Sequence, residues 1–131
     1  MRTIKRICAA VLCLIVMVSA ISPAVYAVQP RYEDIIITGV DLEIVNGVAK
    51  CSVWVDGHSH YNEYRVKMVL YQDDEDYAEW SYTGISSVHE TEYCYVTSGH
   101  EYYVGTHIKV YDPNGNFIEE TVNYTNEPLY Y

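Results

Sequence analysis

From about residue 36 onward, apolar and polar residues change places with period two. The alternating runs are rich in Val, Ile, Tyr and Thr, and they recur roughly every ten residues with no helical repeat between them. A run of this kind hides only one of its faces. Short alternating runs in this number therefore predict antiparallel sheets packed against each other, an all-β fold.

Seven strands are predicted. The first, about Ile36 to Val45, sets Val40, Leu42 and Ile44 on one face and Asp41 and Glu43 on the other. Asn46-Gly47 then predicts a type I′ hairpin, because both turn positions need positive φ. The second strand, Val48 to Val55, turns Ala49, Cys51, Val53 and Val55 inward and Trp54 outward. The third points Tyr64, Val66, Met68 and Leu70 inward and Arg65 and Lys67 outward. An acidic loop, Asp73 to Asp76, leads to a short fourth strand, Tyr77 to Tyr82, which Gly84 is expected to end. The fifth runs from Val88 to Val96, and the sixth buries Tyr102, Val104, Ile108 and Val110. The turn Asp112-Pro113-Asn114-Gly115 leads into the seventh, Phe117 to Tyr124, with Ile118, Val122 and Tyr124 as its inner set. Residues 125–131 show no period and are expected to trail over the surface.

The N-terminus has the three parts of an export signal: basic Met1 to Arg6, apolar Ile7 to Ile21, and small residues before a cleavage point after Ala27. The apolar run is shorter than the roughly 20 residues that span a bilayer, so no membrane attachment is expected after cleavage. The expected organisation is a signal helix (1–27), a sandwich domain (28–124) and a C-terminal tail (125–131). Beyond the signal only Cys51 and Cys94 remain. In an oxidising compartment they are expected to form a disulfide of about 3 to 4 kcal/mol, the alternative being two free buried thiols.

Seven strands with one cysteine pair match a seven-stranded immunoglobulin-like antiparallel β-sandwich, with Tyr102 where a tyrosine corner would sit. One departure is that Cys94 falls on the fifth strand rather than the sixth. The signal, the strand Asn46-Gly47-Val48-Ala49-Lys50-Cys51-Ser52, a mid-chain Trp and the strand-turn-strand from Tyr102 to Glu119 together resemble small secreted, Ig-like β-sandwich proteins of anaerobic Gram-positive bacteria. The resemblance implies fold and export and carries over no functional residue.

All 18 acidic residues lie beyond the signal, against five cations, Arg31, Lys50, Arg65, Lys67 and Lys109, for a formal charge of −13. Such a chain repels polyanions, which argues against nucleic acid as a partner. Enzyme chemistry also lacks its residues. No Gly-x-Ser-x-Gly elbow or Cys-x-x-Cys pair is present, Glu119 and Glu120 point to opposite faces of a strand, and Glu90 and Glu92 have no cleft to line. His58 and His60 with Asp56 offer only a weak zinc pattern, and a solvated loop is the expected reading. Asp73 to Asp76, with Glu79 nearby, is either an acidic turn or a calcium site without EF-hand spacing. No metal or cofactor is expected.

Of the 15 tyrosines, 14 follow the signal, and parity turns Tyr71, Tyr103 and Tyr111 outward while Tyr64, Tyr102 and Tyr124 are assigned to the core. Outward rings anchor protein interfaces or stack on sugars, although cross-strand aromatic pairs also stabilise a sheet without binding anything. Tyr71, Tyr103 and Tyr111 are therefore the candidate binding residues. The expected function is a secreted, non-enzymatic binding module for a protein or glycan at the cell surface, the alternative being a carbohydrate-binding domain.

Overall fold

Eight strands run through residues 33–131, the part of the chain that the computed structural model describes. They are β1 Ile35–Val45, β2 Val48–Gly57, β3 Glu63–Gln72, β4 Glu75–Ile85, β5 Ser87–Tyr95, β6 Glu101–Tyr111, β7 Phe117–Tyr124 and β8 Leu129–Tyr130. The expected signal segment and its cleavage point lie outside the described residues. The strands pair antiparallel in two sheets, ordered β1-β2-β5 and β4-β3-β6-β7, with β8 beside the start of β6.

Tight turns join neighbours within a sheet. Asn46 (φ 50°) and Gly47 (φ 75°) make the predicted turn between β1 and β2, closing the pair Val45 and Val48. The acidic stretch is a second such turn rather than a loop, with Asp73 and Asp74 at φ 49° and 66°. Aspartate tolerates this left-handed region better than most residues. Here Asp73 is also held, its Oδ1 accepting from the Glu101 N–H at 3.0 Å and its Oδ2 lying 2.5 Å from His100 Nδ1. As a result β4 starts at Glu75, two residues earlier than expected.

It also ends later, because Gly84 sits inside β4 instead of breaking it. A Cβ on Gly84 would stand 2.4 Å from the Ser87 carbonyl oxygen, so glycine is required there by the chain folding back on itself. Ser86 (φ 70°) makes that fold, carrying the chain from the five-stranded sheet to the three-stranded one. Its N–H donates to Asn62 O at 2.9 Å, and its carbonyl accepts from Gly57 N at 3.0 Å.

Between the sheets lies one buried cluster, filled from β2 by Ala49, Cys51, Val53 and Val55, from β3 by Tyr64, Val66, Met68 and Leu70, and from β6 by Tyr102, Val104, Ile108 and Val110. These are the inner sets expected from parity. The two buried tyrosines spend their hydroxyls on chain crossings. Tyr102 donates to Thr97 O at 2.8 Å and accepts from Thr97 N at 3.0 Å, fastening the link between β5 and β6. Tyr64 donates to the buried Asp34 carboxylate, whose other oxygen accepts from Ser59 N at 2.7 Å.

Cys51 and Cys94 are free thiols, the alternative to the expected disulfide. The register explains this: Cys51 faces Glu92, and Cys94 faces Ala49, so the two cysteines are diagonal neighbours. Diagonal partners on paired strands stand about 7 to 8 Å apart, beyond the reach of an unstrained disulfide. Burial pushes the Cys51 thiol up to about 12, with Cys94 and Glu92 adding to the effect.

β7 departs most from the expected pattern. Its register shifts against β6 between Val110 and Tyr111, so that Phe117 pairs with Tyr111 and Glu119 with Val110. Ile118 is the extra residue of a bulge, and past it the parity reverses. Ile118 packs against the core as expected, but Val122 and Tyr124 face outward, 50 % and 55 % exposed. Glu119 and Asn123 turn inward in their place. The Glu119 carboxylate accepts from the N–H groups of Glu33, Asp34 and Ile35, each at 2.9 Å, and Asn123 donates to Thr38 Oγ1 at 3.1 Å. These polar contacts fasten β1 of one sheet to β7 of the other.

The expected surface tail forms β8. Leu129 and Tyr130 pair with Tyr102 and Glu101, and the Tyr131 carbonyl accepts from the N–H groups of Gly99 and His100.

Candidate interaction face

The outward positions of β3, β6 and β7 lie side by side on the outer face of the five-stranded sheet, and the pairing sets which groups meet there. Tyr71 and Tyr103 are directly opposite each other, their rings stacked with centroids 4.7 Å apart and planes inclined by 16°. Tyr124, opposite Gly105, brings its ring edge to Tyr103 at 6.2 Å. Glycine is needed beneath these rings, since a Cβ on Gly105 would stand 2.7 Å from the Tyr124 ring and 3.0 Å from that of Tyr71. An aromatic laid over a cross-strand glycine covers backbone that would otherwise be open. Burial is the main cause that raises the phenol pKa values of Tyr71 and Tyr103; for Tyr103, Asp74 adds to it.

Tyr111 belongs to the same face at its other end. It lies eight residue steps along β6 from Tyr103, roughly 26 Å of extended chain. It meets the edge of the Phe117 ring at 5.9 Å and carries the Arg65 guanidinium 4.2 Å above its own ring. The three tyrosines predicted from parity thus form two clusters on one face, Tyr71 with Tyr103 and Tyr111 apart. Tyr124, Val122 and Phe117 complete these clusters and were not anticipated. Nothing in the sequence marks the bulge that turns Tyr124 outward, although the adjacent apolar residues Phe117 and Ile118 break strict alternation.

Between the clusters stand Arg65, Lys67, His107 and Lys109. Arg65 Nε bonds Glu63 Oε1 at 2.5 Å, Lys67 Nζ lies 3.2 Å from Glu79 Oε2, and His107 Nε2 lies 2.8 Å from Glu120 Oε2. A groove of about 220 Å³ beside Tyr71 and Tyr124 is floored by Gly105 and bordered by Lys67, Asp76 and His107.

The outer face of the three-stranded sheet is built differently. Trp54 lies across Gly39, its cross-strand partner, where a Cβ would fall 2.1 Å from the ring. Tyr93 and Tyr95 stand apart on the β5 edge, 65 % and 84 % exposed. Asp56 pairs with His89 Nε2 at 2.8 Å, away from the zinc pattern considered with His58 and His60. Among the described residues, no three His, Cys, Asp or Glu side chains converge as a metal site would require. No protein-family model matches the chain, and no curated protein is similar to it.

Proposed function

We propose that the chain is exported, is cleaved after Ala27, and serves as an immunoglobulin-like, non-enzymatic interaction domain that binds a protein at the cell surface or beyond it. The order β1-β2-β5 against β4-β3-β6-β7 and the Tyr102 hydroxyl bonded back to Thr97 support the immunoglobulin-like reading. The observation that carries the functional reading is the outer face of the five-stranded sheet, where Tyr124 and Val122 on the side of the Tyr71–Tyr103 stack, and Phe117 beside Tyr111, are each at least half exposed. Exposed rings at both ends of one sheet face are the anchors that protein interfaces use.

The carbohydrate alternative draws support from the polar-edged groove beside Tyr71 and Tyr124. Against it, the rings pair across strands, stacked or edge to face, and do not lie level as a platform for sugar rings. The test is photo-cross-linking in cultures that secrete the chain, with a benzophenone amino acid at Tyr103 and, as control, at Tyr93 on the opposite sheet. A single protein adduct from position 103 alone is the expected result. Equal adducts from both positions, or none from position 103, sink the proposal.

A further inference from the structure

We infer that the cations between the two aromatic clusters form a carboxylate-binding row for an extended acidic segment of a partner polypeptide, an inference that rests on the interaction face proposed above. Arg65 on β3 stands directly opposite Lys109 on β6, and Lys67 directly opposite His107. Like charges set directly across a strand pair destabilise a sheet. Yet a chain with only five cations beyond its signal places three of them in this one block. Internal partners answer part of the charge, as Glu63, Glu79 and Glu120 take Arg65, Lys67 and His107 from the margins of the block. Glu120 lies opposite Lys109 in register, but its carboxylate is turned to His107. The space between Arg65 and Lys109 is left facing a groove of about 320 Å³ that Ser81 and Thr83 also line.

Spacing identifies the ligand. Side chains two apart on a strand repeat at about 6.6 to 6.8 Å, so Arg65 with Lys67, and His107 with Lys109, match glutamates at alternate positions of an extended peptide. Apolar residues two positions beyond those glutamates share their face and would meet Tyr124 of the Tyr71–Tyr103–Tyr124 cluster at one end and the Tyr111–Phe117 pair at the other. A polyanion is disfavoured, because beyond a screening length of about 8 Å it meets the field of residues 28–131, whose formal charge is −13. A short segment with one or two carboxylates feels mainly the local cations.

The experiment titrates the purified chain with a capped Val-Ser-Glu-Ser-Glu-Ser-Val peptide, its Val-Ser-Gln-Ser-Gln-Ser-Val counterpart and trigalacturonate, following backbone amide resonances. The expected result is saturable shifts at Arg65, Lys67, His107 and Lys109 with the glutamate peptide, and at least tenfold weaker binding of the glutamine peptide. Lys109→Gln, which also relieves the opposition to Arg65, should keep the melting temperature and weaken the glutamate peptide by about fivefold or more. Equal binding of both peptides, shifts confined to other faces, or tighter binding of trigalacturonate overturns the inference. So do shifts that track the protein's own concentration, which would make a second copy the occupant. If neither peptide binds, the carboxylate row falls, while the face itself is judged separately by the cross-link from position 103.

Discussion

A carboxylate buried beside a tyrosine ring needs several donors, and Asp34 has them. Burial works to raise its pKa, but the Tyr64 hydroxyl, the Ser59 N–H, Asn62 and His58 together hold it below the ordinary carboxylate value. Gly57 is part of the same arrangement, because a Cβ there would collide with the Tyr64 hydroxyl. A carboxyl whose pKa is lower folded than unfolded stabilises the fold fully above its unfolded value of about 3.9 and loses that stabilisation as pH falls through the lower folded value. Asp34→Asn should therefore cost about 1 to 3 kcal/mol at neutral pH, and Tyr64→Phe a similar amount by removing the donor. Urea unfolding between pH 7 and 2 checks both parts: the loss at neutral pH, and a shallower acid limb for Asp34→Asn than for the parent. Parallel acid limbs would separate Asp34 from the acid sensitivity. Gly105→Ala is a second residue-level test. The new Cβ must displace the Tyr124 ring, and overpacking of this kind costs about 1 to 3 kcal/mol, read as a lower denaturation midpoint with unchanged slope.

At the scale of elements, β3 and β6 were legible in the sequence because each is flanked by paired strands and packs one face on the core. Period-two alternation satisfies that, and Tyr64 to Leu70 and Tyr102 to Val110 follow it apart from buried Val69 and Gly105 at outward positions and Thr106 at an inward one. The edge of the sheet obeys looser rules. In β7 the bulge at Ile118 turns Glu119 inward, where the N–H groups of Glu33, Asp34 and Ile35 at the entry to β1 bind it, and sends Tyr124 to the candidate face; hydrophobicity predicts the reverse of both. Gly84 resembles a strand breaker because the carbonyl it must avoid belongs to the next strand, and β8 is too short to show any period. The candidate face was half legible for the same reason, as Tyr71, Tyr103 and Tyr111 follow parity and Tyr124 follows the bulge. Glu119→Gln isolates the element that parity misses. It keeps the size but loses the charge that three N–H donors favour, and hydrogen bonds to charged groups are worth about 1.5 to 3 kcal/mol. Faster amide exchange at Asp34 and Ile35, with β6 still protected, is the expected outcome. Uniform exchange through both sheets would mean that β1 does not open separately.

The described residues hold together without a covalent cross-link, and their charge works against them. With both thiols free, reductant should leave the melting temperature unchanged, whereas losing a disulfide of about 3 to 4 kcal/mol would lower it by more than about 10 °C in a domain of this size. Over residues 28–131 the 18 acidic side chains outnumber the five cations by 13, these uncompensated charges repel one another in the compact state, and salt screens that repulsion. Salt also weakens ion pairs, so the sign of its effect depends on which term is larger. Among the described residues, the Lys or Arg ion pairs that oppose the repulsion are Arg65–Glu63 and Lys67–Glu79. Exposed pairs contribute about 0 to 1 kcal/mol each. The repulsion is spread over the whole surface and should exceed them. Raising salt from about 0.01 to about 0.15 M shortens the screening length from about 30 to about 8 Å, so the melting temperature at pH 8 should rise. A fall would mean that the two pairs, and with them the cation row between Tyr71 and Tyr111, contribute more to stability than exposed pairs normally do. The row would then serve the fold, and the carboxylate site assigned to it would lose its rationale.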